Sequence, residues 1–150
     1  MQYYKQETNY TCGAAAMRIL LLAVGITRTE RQVASMLKTN KVRGTWARMF
    51  PLVAERFKLE YHVRRGASVR DLEEDLKDHV ILTAYYIPEE RVDHYVVVKD
   101  VTREKVVFLD PWYGPAHEQS LERFEEVWRT DPRYDDEQGW YLAVRKSKRP

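Results

Sequence analysis

The sequence predicts an α+β domain with segregated layers, an N-terminal set of helices packed on a C-terminal antiparallel sheet. Three observations carry that expectation. Apolar residues recur at helical spacing through the first half; β-branched and aromatic runs separated by turn signals fill the second; and no repeat, low-complexity stretch or internal linker interrupts the 150 residues. A chain of this length buries roughly 70% of its unfolded surface on folding, enough for a self-sufficient core. The expected organisation is one domain over 1–150, with the basic residues from about 145 to 150 as a frayed tail.

Residues 12–24 are almost apolar all round and run into Gly25, the pattern of a central helix with a glycine terminator. Thr29 to Gln32 forms a capping-box pattern, and Val33, Met36 and Leu37 then share one helical face, which predicts a second helix. Thr45 offers a further cap ahead of Trp46, Met49, Phe50, Val53 and Phe57. Pro51 within that run argues instead for a short turn and a helix beginning near the proline. Residues 59–63 read as a strand. Ser68, with Asp71 three residues on, opens a helix that buries Val69, Leu72 and Leu76. Residues 80–87, 94–101 and 105–109 are strand-like, joined by 88–93 and by a tight turn at 102–104, and predict an antiparallel meander. Ser120 can cap a helix using Leu121, Phe124 and Trp128, and 139–144 reads as a final strand.

Charge and cysteine content exclude several functions. With 25 Lys+Arg against 23 Asp+Glu the net charge is +2, without long blocks of one sign, which argues against a dedicated binder of nucleic acid or of a membrane surface. The apolar run in 17–24 is far short of the roughly 20 residues that span a bilayer. Sixteen residues precede it and no clear cleavage site follows, so it reads as a buried helix rather than a signal peptide. No direct membrane insertion is expected, and the chain reads as cytoplasmic. One cysteine rules out an internal disulfide framework and suits a reducing compartment.

That cysteine, Cys12, falls at the predicted start of a helix, where unpaired backbone N–H groups and the positive end of the dipole favour a thiolate. A lone cysteine is more often a small buried hydrophobe, so its neighbours decide. Gly13 and Ala14 to Ala16 make a low-bulk surface that leaves room for a substrate to approach the sulfur. Gln6, on an upstream loop, could bring an amide N–H to the same point as the Cys12 N–H and complete an oxyanion hole. His94 opens one strand of the meander, and Asp110 ends the next, sixteen residues later. The sequence leaves their register open, and a turn after Thr102 offsets them by a few positions. If adjacent, Asp110 orients the imidazole, and His94 serves as base and acid for Cys12.

The residues from Gln6 to Ala16, with His94-Tyr95-Val96-Val97-Val98 and Asp110-Pro111-Trp112-Tyr113-Gly114, resemble the bacteriocin-processing peptidases, which cleave leader peptides after a double glycine. The resemblance spans almost the whole chain and implies a papain-like cysteine peptidase fold. It implies that Cys12 is the nucleophile, His94 the base and acid, Asp110 its orienting partner, and Gln6 the oxyanion donor. No cofactor is implied. A peptide or protein is the implied substrate, and a membrane transporter is a partner of many relatives. Many members carry an acidic residue before the cysteine, where this chain has Thr11.

Trp112 and Tyr113 are candidates for a wall of the substrate cleft, together with Gly13. His62, His79 and His117 lack the spacing of a metal site and read as surface residues; Cys12, His94 and Asp110 together fall short of the usual zinc ligand set. The leading expectation is hydrolysis of peptide bonds through an acyl-enzyme. The alternatives are a deamidase or acyl transferase with the same thiol chemistry, and a catalytically idle domain that binds a peptide.

Overall fold

The computed structural model describes residues 1–146. Its elements follow in the order α1 (Cys12–Ala23), α2 (Glu30–Leu37), α3 (Met49–Arg56), β1 (Tyr61–Arg64), α4 (Val69–Leu76), β2 (His79–Ile87), β3 (Val92–Val101), β4 (Lys105–Asp110), β5 (Gly114–Ser120), α5 (Leu121–Val127) and β6 (Tyr141–Arg145). The strands make one antiparallel sheet in the order β1-β6-β2-β3-β4-β5. The predicted meander is its β2-β3-β4 portion, and the last strand returns to lie between β1 and β2.

The predicted fold class holds, but the helices do not form a single layer. Helices α1 to α3 cover one sheet face, where Leu82, Tyr95, Val97, Leu109 and Leu142 join the core of α1. Leu72 of α4 and Phe124 of α5 pack on the other face against Ile81, Val96, Phe108 and Tyr141. The cause is legible in β2 and β6, whose residues are buried in succession rather than alternately. A strand that is apolar on both sides needs cover on both sides.

Local chemistry sets the helix ends. After α1 the chain turns at Gly25 (φ +91°), and Ile26 N–H donates to the Leu21 carbonyl at 2.9 Å, satisfying a group the helix leaves open. Thr29 and Gln32 make the expected reciprocal cap of α2. Pro51 lies in the first turn of α3, where its missing N–H has no helical partner to lose. Thr45 is not the cap of that helix; its hydroxyl bonds that of Thr39 at 2.8 Å, and its carbonyl accepts from Tyr95 Oη at 2.7 Å.

Two expectations along the chain need correction. Residues 114–120, to which the sequence assigns no element before the Ser120 cap, form the outermost strand β5, which is hydrogen-bonded to β4 alone. Its composition, with Pro115, Glu118 and Gln119, is that of an edge strand with little apolar surface to bury. Arg145 is not frayed: it pairs with His79 across the sheet and lies 3.2 Å from Glu60 and 3.4 Å from Asp78. The part of the expected tail from 147 to 150 lies outside the described residues.

Candidate active site

A cleft of about 330 Å³ opens where α1 begins, and Cys12, Arg43, His94, Tyr95, Trp112 and Tyr134 are among its lining residues. Cys12 is the first residue of α1, half-buried, as the sequence predicts. Its resting protonation differs from expectation. Burial pushes the thiol up to about 12, and hydrogen bonds from the backbone of Tyr95 and Gly13 pull it only part of the way back. Desolvation outweighs the helix terminus because the anion would be taken almost wholly out of water, with the carboxylates of Asp93 and Asp110 adding repulsion.

His94 is buried and stacked. The ring of Tyr85 lies 5.9 Å away at 25°, and that of Tyr113 lies 5.8 Å away on a tilt. Burial lowers the imidazole pKa, opposed by the nearby Asp110, Asp93 and Glu90 carboxylates. His94 and Asp110 share a neighbourhood but not a hydrogen bond: His94 Nδ1 is buried without a partner. Asp110 Oδ2 instead accepts from Tyr85 Oη at 2.5 Å, and Oδ1 accepts from the Trp112 and Tyr113 N–H groups at 2.9 and 3.1 Å. The register explains the offset. Val97 pairs with Leu109, so His94 and Asp110 are displaced along adjacent strands, and Tyr85, directly opposite His94, reaches into the gap.

Gln6 is buried beside this turn. Its N–H donates to the Pro111 carbonyl at 3.0 Å, while Tyr3 Oη donates to the Asp110 carbonyl at 2.7 Å, so the N-terminal segment is fastened to the end of β4. The Gln6 amide Nε2 donates to the Thr8 carbonyl at 2.7 Å, and Oε1 has no partner. Thr11, the residue before the cysteine, bonds the Thr8 hydroxyl at 2.8 Å, and the buried carboxylate of Glu30 accepts the Glu7 N–H at 3.1 Å. An acid from α2 thus steadies the loop ahead of Cys12.

A Cβ at Gly13 would come within 2.7 Å of Thr45 Oγ1 and 3.1 Å of Phe50 Cζ, so its missing side chain lets α1 pack on α3 and the segment before it. Trp112 does line the cleft, half exposed; Tyr113 covers His94 and bonds Glu90 at 3.4 Å. Among the other histidines, His79 is buried, which corrects its reading as a surface residue, while His62 and His117 are half-buried and keep a surface position.

The sequence reading missed a buried ionic network in the wall of the cleft. Arg43 donates through Nη1 and Nη2 to both oxygens of Asp93 at 3.2 and 2.9 Å and through Nη2 to Asp135 at 2.9 Å and to Tyr95 Oη at 3.2 Å. Asp93 also accepts the Asp131 N–H, and Asp135 accepts the Ala47 N–H. Asp93 and Tyr95 flank His94, so this network pins the strand that carries the histidine. Only the Asp93-His94 adjacency hinted at it; Arg43 and Asp135 are distant in sequence from each other and from β3.

A helix-borne cysteine and a strand-borne histidine line one cleft, with an acid at the end of the neighbouring strand, an arrangement similar to that of papain-type thiol peptidases. The Peptidase C39 family model matches residues 1–131, and the chain belongs to that family. Among solved structures, the peptidase domain of Streptococcus ComA, a bi-functional ABC transporter involved in a quorum sensing pathway, matches with a TM-score of 0.75 at 21% identity, covering 96% of this chain and 97% of that one. A double glycine motif protease from an AMS/PCAT transporter, in complex with the leader peptide, matches at 0.75 and 18%, covering 97% and 91%. The peptidase domain of Streptococcus mutans ComA matches at 0.67 and 21%, covering 96% and 98%. Comparison with curated proteins gave no match. No helix among the described residues is long and apolar enough to cross a membrane.

Proposed function

We propose that the chain is a cysteine peptidase in which Cys12 attacks a peptide carbonyl, His94 moves the proton, Asp110 orients His94 through Tyr85, whose hydroxyl it holds and whose ring stacks on the imidazole, and Gln6 assists at the oxyanion. The observation that carries the reading is that Cys12 and His94, far apart in sequence, line the same cleft. With thiol and imidazole both neutral at rest, the thiol proton passes to His94 as sulfur attacks. The developing oxyanion then meets the N–H of Cys12 and the second amide N–H of Gln6, which Thr8 leaves free. His94 gives that proton to the leaving nitrogen, a thioester remains, and water hydrolyses it. Substrate entry expels water from the cleft and supplies a partner for groups that lack one.

Leader peptides cleaved after Gly-Gly are the proposed substrates, with Trp112 narrowing the cleft, and a membrane transporter as the proposed partner. The test is cleavage of a synthetic leader peptide followed by mass spectrometry. New amine termini from the wild-type chain, none from Cys12→Ala, are expected. Unchanged cleavage by that variant sinks the reading, and a one-unit mass gain without cleavage favours the deamidase instead. A second reading, peptide binding without turnover, is favoured by the raised thiol pKa; it predicts saturable binding of the same peptide with no product from the wild-type chain.

A further inference from the structure

His62, Asp75 and His79 converge on the sheet face away from α1. They come from three elements: β1, α4 and the start of β2. His62 pairs with Ala143 and His79 with Arg145, two positions apart on β6, so both imidazoles project to the side that α4 covers. One ligand atom from each residue lies within 4.8 Å of the other two. His62 Nε2 is 2.8 Å from Asp75 Oδ2, His79 Nδ1 is 4.0 Å from Asp75 Oδ1, and the ring centroids are 4.9 Å apart.

We propose that these three residues bind zinc, and that the ion ties the edge strand β1 and helix α4 to β2. Two imidazoles with one carboxylate suit a borderline divalent cation, whereas magnesium and calcium favour all-oxygen sites. Metal–ligand distances of about 2.0–2.2 Å place ligand atoms roughly 3–4 Å apart around a tetrahedral ion. The 4.0 Å between His79 Nδ1 and Asp75 Oδ1 already has that spacing, and His62 Nε2, now 2.8 Å from Oδ2, reaches the same ion by rotation of its side chain toward Oδ1. An outer shell is already present: Tyr141 Oη and Arg64 Nε, the latter at 2.9 Å, both donate to Asp75 Oδ2, which leaves Oδ1 to bind the metal. Arg64 competes for the carboxylate, but its side chain is nearly half exposed and can withdraw into solvent. His79 Nδ1 donates to Asp78 Oδ1 at 2.6 Å and lies 3.1 Å from the Asp75 carbonyl, so zinc displaces the proton of that nitrogen on binding, and Asp78 Oδ1 is then within reach of the fourth position. Of the three ligands only Asp75 and His79 are close in the chain, which is why sequence spacing hid the cluster.

The proposal is independent of the chemistry at Cys12, and the experiment separates the two. Full-length protein carrying Cys12→Ala, which removes the thiol as a competing ligand, is stripped with chelator. It is then titrated with Zn²⁺ by calorimetry, and with Co²⁺ by visible absorption. Saturation at one ion per chain, tetrahedral cobalt bands and a melting temperature that rises with zinc are expected. Adding His62→Gln or His79→Ala should weaken binding by roughly tenfold or more. His62→Gln keeps a donor for Asp75, so its metal-free melting temperature verifies that the fold survives. Absence of saturable binding, or equal affinity in the His62→Gln protein, overturns the proposal; the residues are then a hydrogen-bonded ion network alone.

Discussion

At Cys12 two electrostatic effects oppose one another. A helix start favours the anion by about 0.3–1 kcal/mol at an exposed surface, whereas the raised thiol pKa of about 12 corresponds to a desolvation effect several times larger in the opposite direction. Because the folded-state value lies above the ordinary 9.0, the neutral thiol contributes stability below that pH, and the contribution is lost as pH rises through about 12. His94 has the opposite sign: its lowered pKa means the unfolded chain protonates first, so the folded state loses stability as pH falls below the ordinary 6.5. Alkylation of Cys12 by iodoacetamide should therefore be slow at pH 7 and still climbing beyond pH 9. A plateau reached below pH 8 would show that His94 and the helix terminus overcome burial. A chain with one cysteine makes the readout unambiguous.

Among the elements, α2 owes its start to a reciprocal cap, Thr29 Oγ1 accepting the Gln32 N–H at 3.1 Å and Gln32 Oε1 accepting the Thr29 N–H at 2.9 Å. Thr29→Ala should lower stability by about 1 kcal/mol in urea titration. Its effect can extend to the cleft, because Glu30, the next residue, holds the Glu7 N–H and through it the loop that leads to Cys12. Such a cap is visible in sequence because it depends on residues three apart. The strand β5 was not, because an edge strand paired with one neighbour carries too little apolar surface to announce itself.

For the whole molecule, Arg43 joins three segments: its own turn, β3 at Asp93, and the loop that carries Asp131 and Asp135. Its side chain and that of Asp93 are almost wholly buried. Removing one partner leaves an uncompensated charge, so Arg43→Ala should destabilise the chain by about 3–5 kcal/mol, measured by denaturant unfolding. Arg43→Lys should recover only part of this, since an ammonium cannot match the paired contacts to Asp93. Wild-type stability in Arg43→Ala would show that the carboxylates are served equally well by water.

The element order apart from β5, the central helix ending at Gly25, the caps at Thr29 and Ser68 and the meander were legible in the sequence, because each rests on periodicity or on contacts a few residues long. So were Cys12 and His94 as residues worth bringing together. Their neighbours were not. The direction of the Cys12 pKa shift, Tyr85 standing between His94 and Asp110, Gly13 turned toward Thr45, the Arg43 network and the His62-Asp75-His79 cluster all join residues from separate elements. Strand register and burial decide such contacts, and both arise only when the sheet closes between its two helical layers and sets the local dielectric and the distances between charges.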